Sequence, residues 1–257
     1  MAGEREYTTA ELMVAAGARE LADGQVVVVG LGIPLVAAGL AQRTHAPRLH
    51  LLNELGVADF WPAELGVGNS DPRMWYRAAS FSGHIDVMGM ILQRGLVDIG
   101  FLGALEVDVY GNINSTEVPL PGGRFRRFGG SGGACDMASL ARHTIIIVRH
   151  EKHKLVERVH HATSPGYFSG PGERQRVGVP GEGPSRVITD KAVFGFDAET
   201  CRLRLRSIHP GVTAEDLRAN TGFELDIPED VAATPVPSAD DLAVIRAIDP
   251  GGRFTRN

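Results

Sequence analysis

Four apolar runs, each bounded by glycine or polar residues, set the rhythm of the first 150 residues: "QVVVVG" from Gln25, "LHLLN" from Leu49, "VDIGFL" from Val97 and "HTIIIV" from His143. Their unbroken valines, leucines and isoleucines suit strands covered on both faces, as in parallel sheets. Between them the spacing turns helical. Thr8 and Glu11 make a T-x-x-E capping box, and Leu12, Ala15, Ala16 and residues 18–21 supply a helix predicted to end before Gly24. "GLGIPLVAAGLAQRTHAP" reads as a glycine turn, Pro34 in the first helical turn, and a helix to about Arg43. A further helix is predicted from His84 to Arg94, stopped by Gly95. Alternation of this kind is the mark of an open α/β sheet.

The last third changes character. "VFGFDAETCRLRLRSIHPGV" alternates apolar and polar residues around an Asp-Ala-Glu-Thr turn, which predicts an antiparallel hairpin at a sheet edge. Two capped helices follow, one from about Thr213 and one from about Ser238, where Ser238 and Asp241 again have capping-box spacing. The expected fold is α/β, an open and mostly parallel sheet with flanking helices and an antiparallel hairpin near the C-terminal part. Residues 1–257 read as a single domain, since the glycine- and proline-rich segment from Ser169 to Arg186 is more economically placed between elements than between domains.

Composition narrows the function. Thirty-one acids against 26 bases, with no long like-charge run, exclude a nucleic-acid footprint. The N-terminal stretch has no apolar leader and no run approaches the roughly 18 apolar residues of a membrane span, so a cytoplasmic protein is expected. Cys135 and Cys201 have no C-x-x-C spacing, and among the histidines only His150 and His153 have helical ligand spacing with no third ligand nearby. No metal is expected.

In open α/β sheets ligands bind beyond the carboxyl ends of the strands. That rule selects "GLGIP", "NELG" and "FLGALEVDVYGNINST". The glycine pair Gly30 and Gly32 lacks the third glycine of a dinucleotide fingerprint, because Leu35 stands in its place. In "RRFGGSGGACD", Gly129, Gly130, Gly132 and Gly133 around Ser131 and before Ala134 expose backbone N–H groups suited to a phosphate or an oxyanion, without the Gly-Lys-Ser/Thr of a P-loop. Asn112 and Asn114 flank a turn, where asparagine also serves simply as a cap. Cys135 reads as a packing residue or a nucleophile lacking an assignable base. Glu54, an acid directly after a buried strand, reads either as a surface or capping residue or as chemistry.

These loops, in this order, resemble the small (β) subunit of the family I coenzyme A transferases, nearest the glutaconate CoA-transferase branch. The resemblance rests on "GLGIPLVAAGLAQRTHAP", the E-x-G at Glu54 to Gly56, "VDIGFLGALEVDVYGNINST", "GGSGGACDMASLARHTIIIV", "HEKHKLVERVHHATSPGY" and "IHPGVTAEDLRANTGFEL", and spans about residues 25–225. It implies that Glu54 is a nucleophile forming a covalent glutamyl-CoA thioester as CoA passes from an acyl-CoA to a carboxylic acid. It implies that residues 129–134, Gly30, Gly32, Asn112 and Asn114 contact CoA, the acyl group or an oxyanion. Coenzyme A is then a substrate and no cofactor is expected, whereas a CoA-transferase α subunit is, in an α₂β₂ or related assembly. Relatives that hydrolyse or decarboxylate acyl-CoA share the resemblance, as would a non-catalytic acyl-CoA-binding subunit. Leu55, bulkier than the small residue expected there, is expected to reshape access to Glu54, and Trp61, Trp75 and Tyr76 to line a larger or less polar acyl pocket than glutaconate needs.

Overall fold

The capping box at Thr8 opens α1, Thr9–Ala18, as its spacing predicts: the Thr8 hydroxyl accepts the Glu11 N–H, and the Glu11 carboxylate accepts the Thr8 N–H. The structure, a computed structural model, describes residues 6–66, 68–228 and 230–256. Within them the chain divides into two compact units, residues 6–87 with 235–256, and residues 88–234. The fold is α/β, with parallel strands, helices and antiparallel hairpins.

In the first unit α1 is buried on nearly every side and packs with α2, Ile33–Arg43, and with the C-terminal helix Ala239–Ile248. The apolar sequence of α1 leaves no polar face, which only a helix covered all round can tolerate. Its one acid, Glu11, is buried and held by Arg246 of the C-terminal helix at 2.8 Å. Strand β1, Val26–Val28, pairs in parallel with β2, His50–Asn53, putting Val27 beside Leu51. The chain then turns back at once: β3, Val57–Ala58, lies antiparallel to β2, and β4, Ser80–Phe81, lies antiparallel to β3. Neither short strand is visible in the pattern, because two residues cannot show a period. The helix expected from His84 to Arg94 forms instead as a wide, π-helical segment, Ile85–Leu92, with Gly89 at its middle.

In the second unit β5, Ile99–Gly103, carries the "VDIGFL" run. Next come β6, Glu106–Asp108, and β7, Ile113–Asn114, then the hairpin of β8, Glu117–Leu120, and β9, Arg124–Arg127. A short helix, α3, Ala134–Leu140, leads into β10, His143–Ile147, and β11, Leu155–Val156, follows. Strands β5 and β10 pair in parallel, and β10 pairs in parallel with β12, Gly183–Ile188. The predicted C-terminal hairpin is present as β13, Ala192–Phe196, against β14, Leu203–Ile208, with its turn at residues 197–201. Only β14 alternates buried and exposed residues, while β13 is covered on both faces. Beyond β14 lies the two-residue strand β15, Ala232–Ala233, so the hairpin approaches the edge without forming it.

The segment from Ser169 to Arg186 is not a plain connection. It contains the one-turn helix α4, Glu173–Val177, and Arg174 within it is buried, donating to the carbonyls of Gly181, Gly166 and Ala138 at 2.7, 2.8 and 3.0 Å. A guanidinium with fixed donors substitutes there for an apolar core.

Two buried histidines lock the hairpin end of this unit. His150 lies between the hydroxyls of Thr189 and Thr221, and His209 between the Thr234 hydroxyl and the Thr189 carbonyl. Burial pushes both pKa values from the ordinary 6.5 down to about 4. The folded chain therefore holds both rings neutral, whereas the unfolded chain protonates them below about 6.5. Their contribution is complete above pH 6.5 and is lost as the pH falls toward 4. Thermal unfolding between these limits is expected to show the midpoint falling as the pH is lowered, with stability lost at up to about 1.4 kcal/mol per pH unit for each histidine. Replacing His209 with Gln is expected to flatten that dependence, and calorimetry at several pH values checks it.

Candidate active site

Glu54 stands in the three-residue turn joining β2 to β3, directly beyond the carboxyl end of a parallel strand. The turn is made by its neighbours. The Asn53 side-chain oxygen accepts the Leu55 N–H at 2.8 Å, and the Gly56 N–H donates to the Asn53 carbonyl at 3.0 Å. Gly56 is in the left-handed region at φ +105°, with no room for a side chain: a Cβ there would lie 2.1 Å from the Ser82 carbonyl oxygen. That close approach is secured by Ser82, whose N–H and hydroxyl both donate to the Gly56 carbonyl, at 2.8 and 2.9 Å. On the other side His84 donates from Nδ1 to the Glu54 carbonyl at 2.7 Å. The backbone of the acid is thus held from two directions while its side chain is half-buried.

The carboxylate itself meets Asn69, whose Nδ2 lies 3.4 Å from Oε1. The same amide accepts the Leu31 N–H at 3.0 Å through Oδ1. Leu31 is the middle of the Gly30 to Gly32 turn, so this glycine turn and Glu54 are brought together through a residue that the sequence motifs do not select. Gly32, at φ +104°, serves as the N-cap of α2 with Pro34 in its first turn. The signal for Asn69 is weak, a lone asparagine in "GVGNSD" that reads as turn chemistry. Asn53 lies in the selected "NELG" loop without a role of its own there, and Ser82 and His84 carry no motif at all.

The aromatic residues divide. Trp75 donates from its indole to the Asn69 carbonyl at 3.4 Å and meets Phe81 edge-on at 6.1 Å, beside the Glu54 turn. Trp61 lies elsewhere: with His50 and Asp59 it lines a cavity near the start of β2, at the other end of that strand from Glu54, stacked against Arg43. Leu55 is exposed, and Tyr76 is also exposed.

In the second unit the glycine loop and the asparagine turn meet. The Gly130 N–H donates to the Ser115 carbonyl at 3.1 Å and the Phe128 N–H to the Thr116 carbonyl at 2.8 Å. Gly130 and Gly132 have positive φ, and Ala134 begins α3 with its N–H on the Ser131 carbonyl. Among the described residues the N–H groups of Ser131, Gly132 and Gly133 have no acceptor, which leaves a short run of backbone donors. The asparagine side chains make hydrogen bonds within the chain. Asn112 donates to both oxygens of Asp108 and to the Phe168 carbonyl, and accepts the Gly166 and Phe168 N–H groups. Asn114 donates to Glu106 and the Glu117 carbonyl and accepts the Thr116 N–H. Burial holds the Asp108 carboxyl above its usual range despite these donors. Both side-chain amides are committed within the chain. Cys135 is free and partly buried in α3, and no helix of the described residues is long and apolar enough to cross a membrane.

The Coenzyme A transferase family model matches residues 10–220. The chain is 37% identical to one of the two subunits of glutaconate CoA-transferase of Acidaminococcus fermentans, over 99% of this chain and 97% of that one. It is 35% identical to the corresponding subunit of 3-oxoadipate CoA-transferase of Pseudomonas knackmussii, over 95% and 94%. The crystal structure of glutaconate coenzyme A-transferase from Acidaminococcus fermentans superposes with a TM-score of 0.90 at 35% identity, covering 98% of both chains.

Because the Gly56 position has neither the torsion nor the space for a side chain, Gly56→Ala is expected to lower stability by about 3 kcal/mol, or about 6–12 °C in melting midpoint, through strain and the clash with Ser82. Thermal denaturation of the purified variant measures it.

Proposed function

Since the chain belongs to the Coenzyme A transferase family, we propose that it is the β subunit of an enzyme moving CoA between an acyl-CoA and a carboxylic acid, with Glu54 as the covalent nucleophile. The observation that carries this reading is the placement of a half-buried carboxylate in a turn pinned by Gly56, Ser82 and His84 at the carboxyl end of β2. A carboxylate is a weak nucleophile toward a thioester in water. Held in attacking geometry it gains about 7–11 kcal/mol from proximity and avoided reorganisation.

One oxygen of Glu54 attacks the thioester carbonyl, the C–S bond breaks, and its electron pair leaves with the CoA thiolate. The thiolate then attacks the glutamyl carbon of the resulting anhydride. The donor acid departs with the bridging oxygen, leaving a glutamyl-CoA thioester. A second carboxylate reverses the sequence and leaves as the new acyl-CoA. CoA is thus substrate, and the chemistry requires no metal or other cofactor. The backbone donors of residues 129–134 suit a CoA phosphate or a developing oxyanion, each good oxyanion donor being worth about 2.7–4 kcal/mol.

An α subunit completes the enzyme, in an α₂β₂ or related assembly in the cytoplasm, in keeping with the naming of both relatives as subunits. Glutaconate and 3-oxoadipate, from which those relatives take their names, are dicarboxylic acids, which makes short dicarboxylyl-CoA thioesters the first substrates to try. Trp75 beside the Glu54 turn adds apolar surface for a larger acyl chain.

The test treats the co-purified complex with candidate acyl-CoAs and then borohydride. The peptide carrying Glu54 is expected to become about 14 mass units lighter, as a thioester reduced to an alcohol. Glu54→Gln is expected to abolish the adduct and lower transfer by about 10⁴-fold or more. Transfer retained in Glu54→Ala, or CoA or CO₂ released with no acceptor acid and no adduct, overturns the reading in favour of a hydrolase, a decarboxylase or a partner that carries the chemistry.

A further inference from the structure

Among the described residues Asn69 is the one side chain that hydrogen-bonds the Glu54 carboxylate, and its orientation is not arbitrary. The Leu31 N–H can be met only by an acceptor, so Oδ1 faces Leu31 at 3.0 Å and Nδ2 must face Glu54. The Asn69 main chain is restrained as well: its carbonyl accepts the Trp75 indole N–H at 3.4 Å, and Trp75 ends a 3₁₀ turn, Pro72–Trp75, whose preceding Asp71 caps the Arg73 N–H. A donor is thereby fixed against one oxygen of the nucleophile, by contacts to the β1 turn and to the 3₁₀ turn.

We propose that Asn69 orients the Glu54 carboxylate and donates to Oε1 through the covalent cycle. This rests on the transfer reading. In the first step Oε2 forms the bond to the thioester carbon while Oε1 keeps the Asn69 donor, which turns the free oxygen toward substrate. In the second step the CoA thiolate adds to the glutamyl carbon, and the electron pair of the C=O bond moves onto Oε1. That oxygen is then an alkoxide facing Nδ2. Collapse restores the C=O bond to Oε1 and expels the donor acid with Oε2. When the acceptor acid attacks the glutamyl thioester, the negative charge again gathers on Oε1 and the thiolate leaves. The 3.4 Å separation is long for a resting contact and shortens as Oε1 gains charge, since a charged acceptor draws its donor closer. Asn69 therefore acts more strongly in the transition states for thiolate and acceptor addition to the glutamyl carbon than in the resting carboxylate, the condition under which an interaction raises the rate of those steps rather than affinity.

Asn69→Asp separates this role from a structural one. It keeps an oxygen for the Leu31 N–H while exchanging the donor to Glu54 for a like charge. In the intact complex the expected result is formation of the borohydride-reducible adduct slowed by about 10²-fold, with KM for acyl-CoA nearly unchanged. The pH at which Glu54 becomes reactive to a carbodiimide is expected to move up, because two neighbouring carboxyls resist joint ionisation. Asn69→Ser, neutral and too short to reach Glu54, is expected to show the rate loss with a smaller pH displacement than Asn69→Asp, since it removes the donor without adding a like charge, and serves if the Asp variant does not assemble. Adduct formation within about threefold of wild type in both variants, or a loss confined to KM, overturns the proposal. Should the wild-type complex form no adduct, the transfer reading fails by itself. The contact of Asn69 with Glu54 is then judged by carbodiimide labelling, where an unmoved pH dependence in Asn69→Asp overturns it.

Discussion

A parallel strand in an α/β sheet ordinarily runs out into a loop and a helix, but β2 turns back on itself within three residues, and this is possible only because residue 56 has no side chain. The Gly56 backbone lies against the Ser82 backbone at a separation that any Cβ would occupy, and the φ of +105° is one that other residues avoid. Two hydrogen bonds from Ser82 to the Gly56 carbonyl close the contact. Everything that makes Glu54 more than a surface acid follows: β3 can pair with β2, β4 can pair with β3, and His84 is carried to the Glu54 carbonyl. The main chain of a prospective nucleophile is thus rigid while its carboxylate projects, which is the arrangement that proximity catalysis needs.

The second unit solves a different problem with similar means. Its connection from β6 to β10 is long and glycine-rich, and such a chain would ordinarily be costly to order. Saturated polar side chains replace an apolar core along it. Asn112 and Asn114 each satisfy several backbone groups, buried Glu106 accepts from Asn114 and His160, and Arg174 gathers five carbonyls. A buried amide or guanidinium with every donor and acceptor engaged specifies one geometry, because any displacement strands several groups at once. What the loop from Gly129 presents is backbone.

How much of this is legible depends on the length over which a pattern can repeat. The capping boxes at Thr8 and Ser238, the proline-started helix after Gly32 and the apolar runs of β1, β2, β5 and β10 stand where the pattern predicts them, since each is a local preference supported by its neighbours. The β13 to β14 hairpin does too, although the alternation belongs to β14 alone. Strands of two residues, such as β3, β4 and β7, carry no period and exist only because another strand lies beside them. Arg174 is hidden for a related reason: in a charged, glycine-rich stretch an arginine reads as solvated until the carbonyls it serves are known. The helix predicted from His84 holds in position and not in winding.

By itself the sequence determined the α/β class and the main elements, and its E-x-G and glycine-loop motifs carried the resemblance to the family. These are properties of residue type and near-neighbour spacing, which act over a few residues of chain. The tertiary structure decided the rest. It put Asn69 against Glu54 across fifteen residues and against Leu31 across 38, directed Asn112 and Asn114 inward, and separated Trp61 from Trp75. Hydrogen bonds of that reach depend on where folded elements come to rest, and no local preference encodes that.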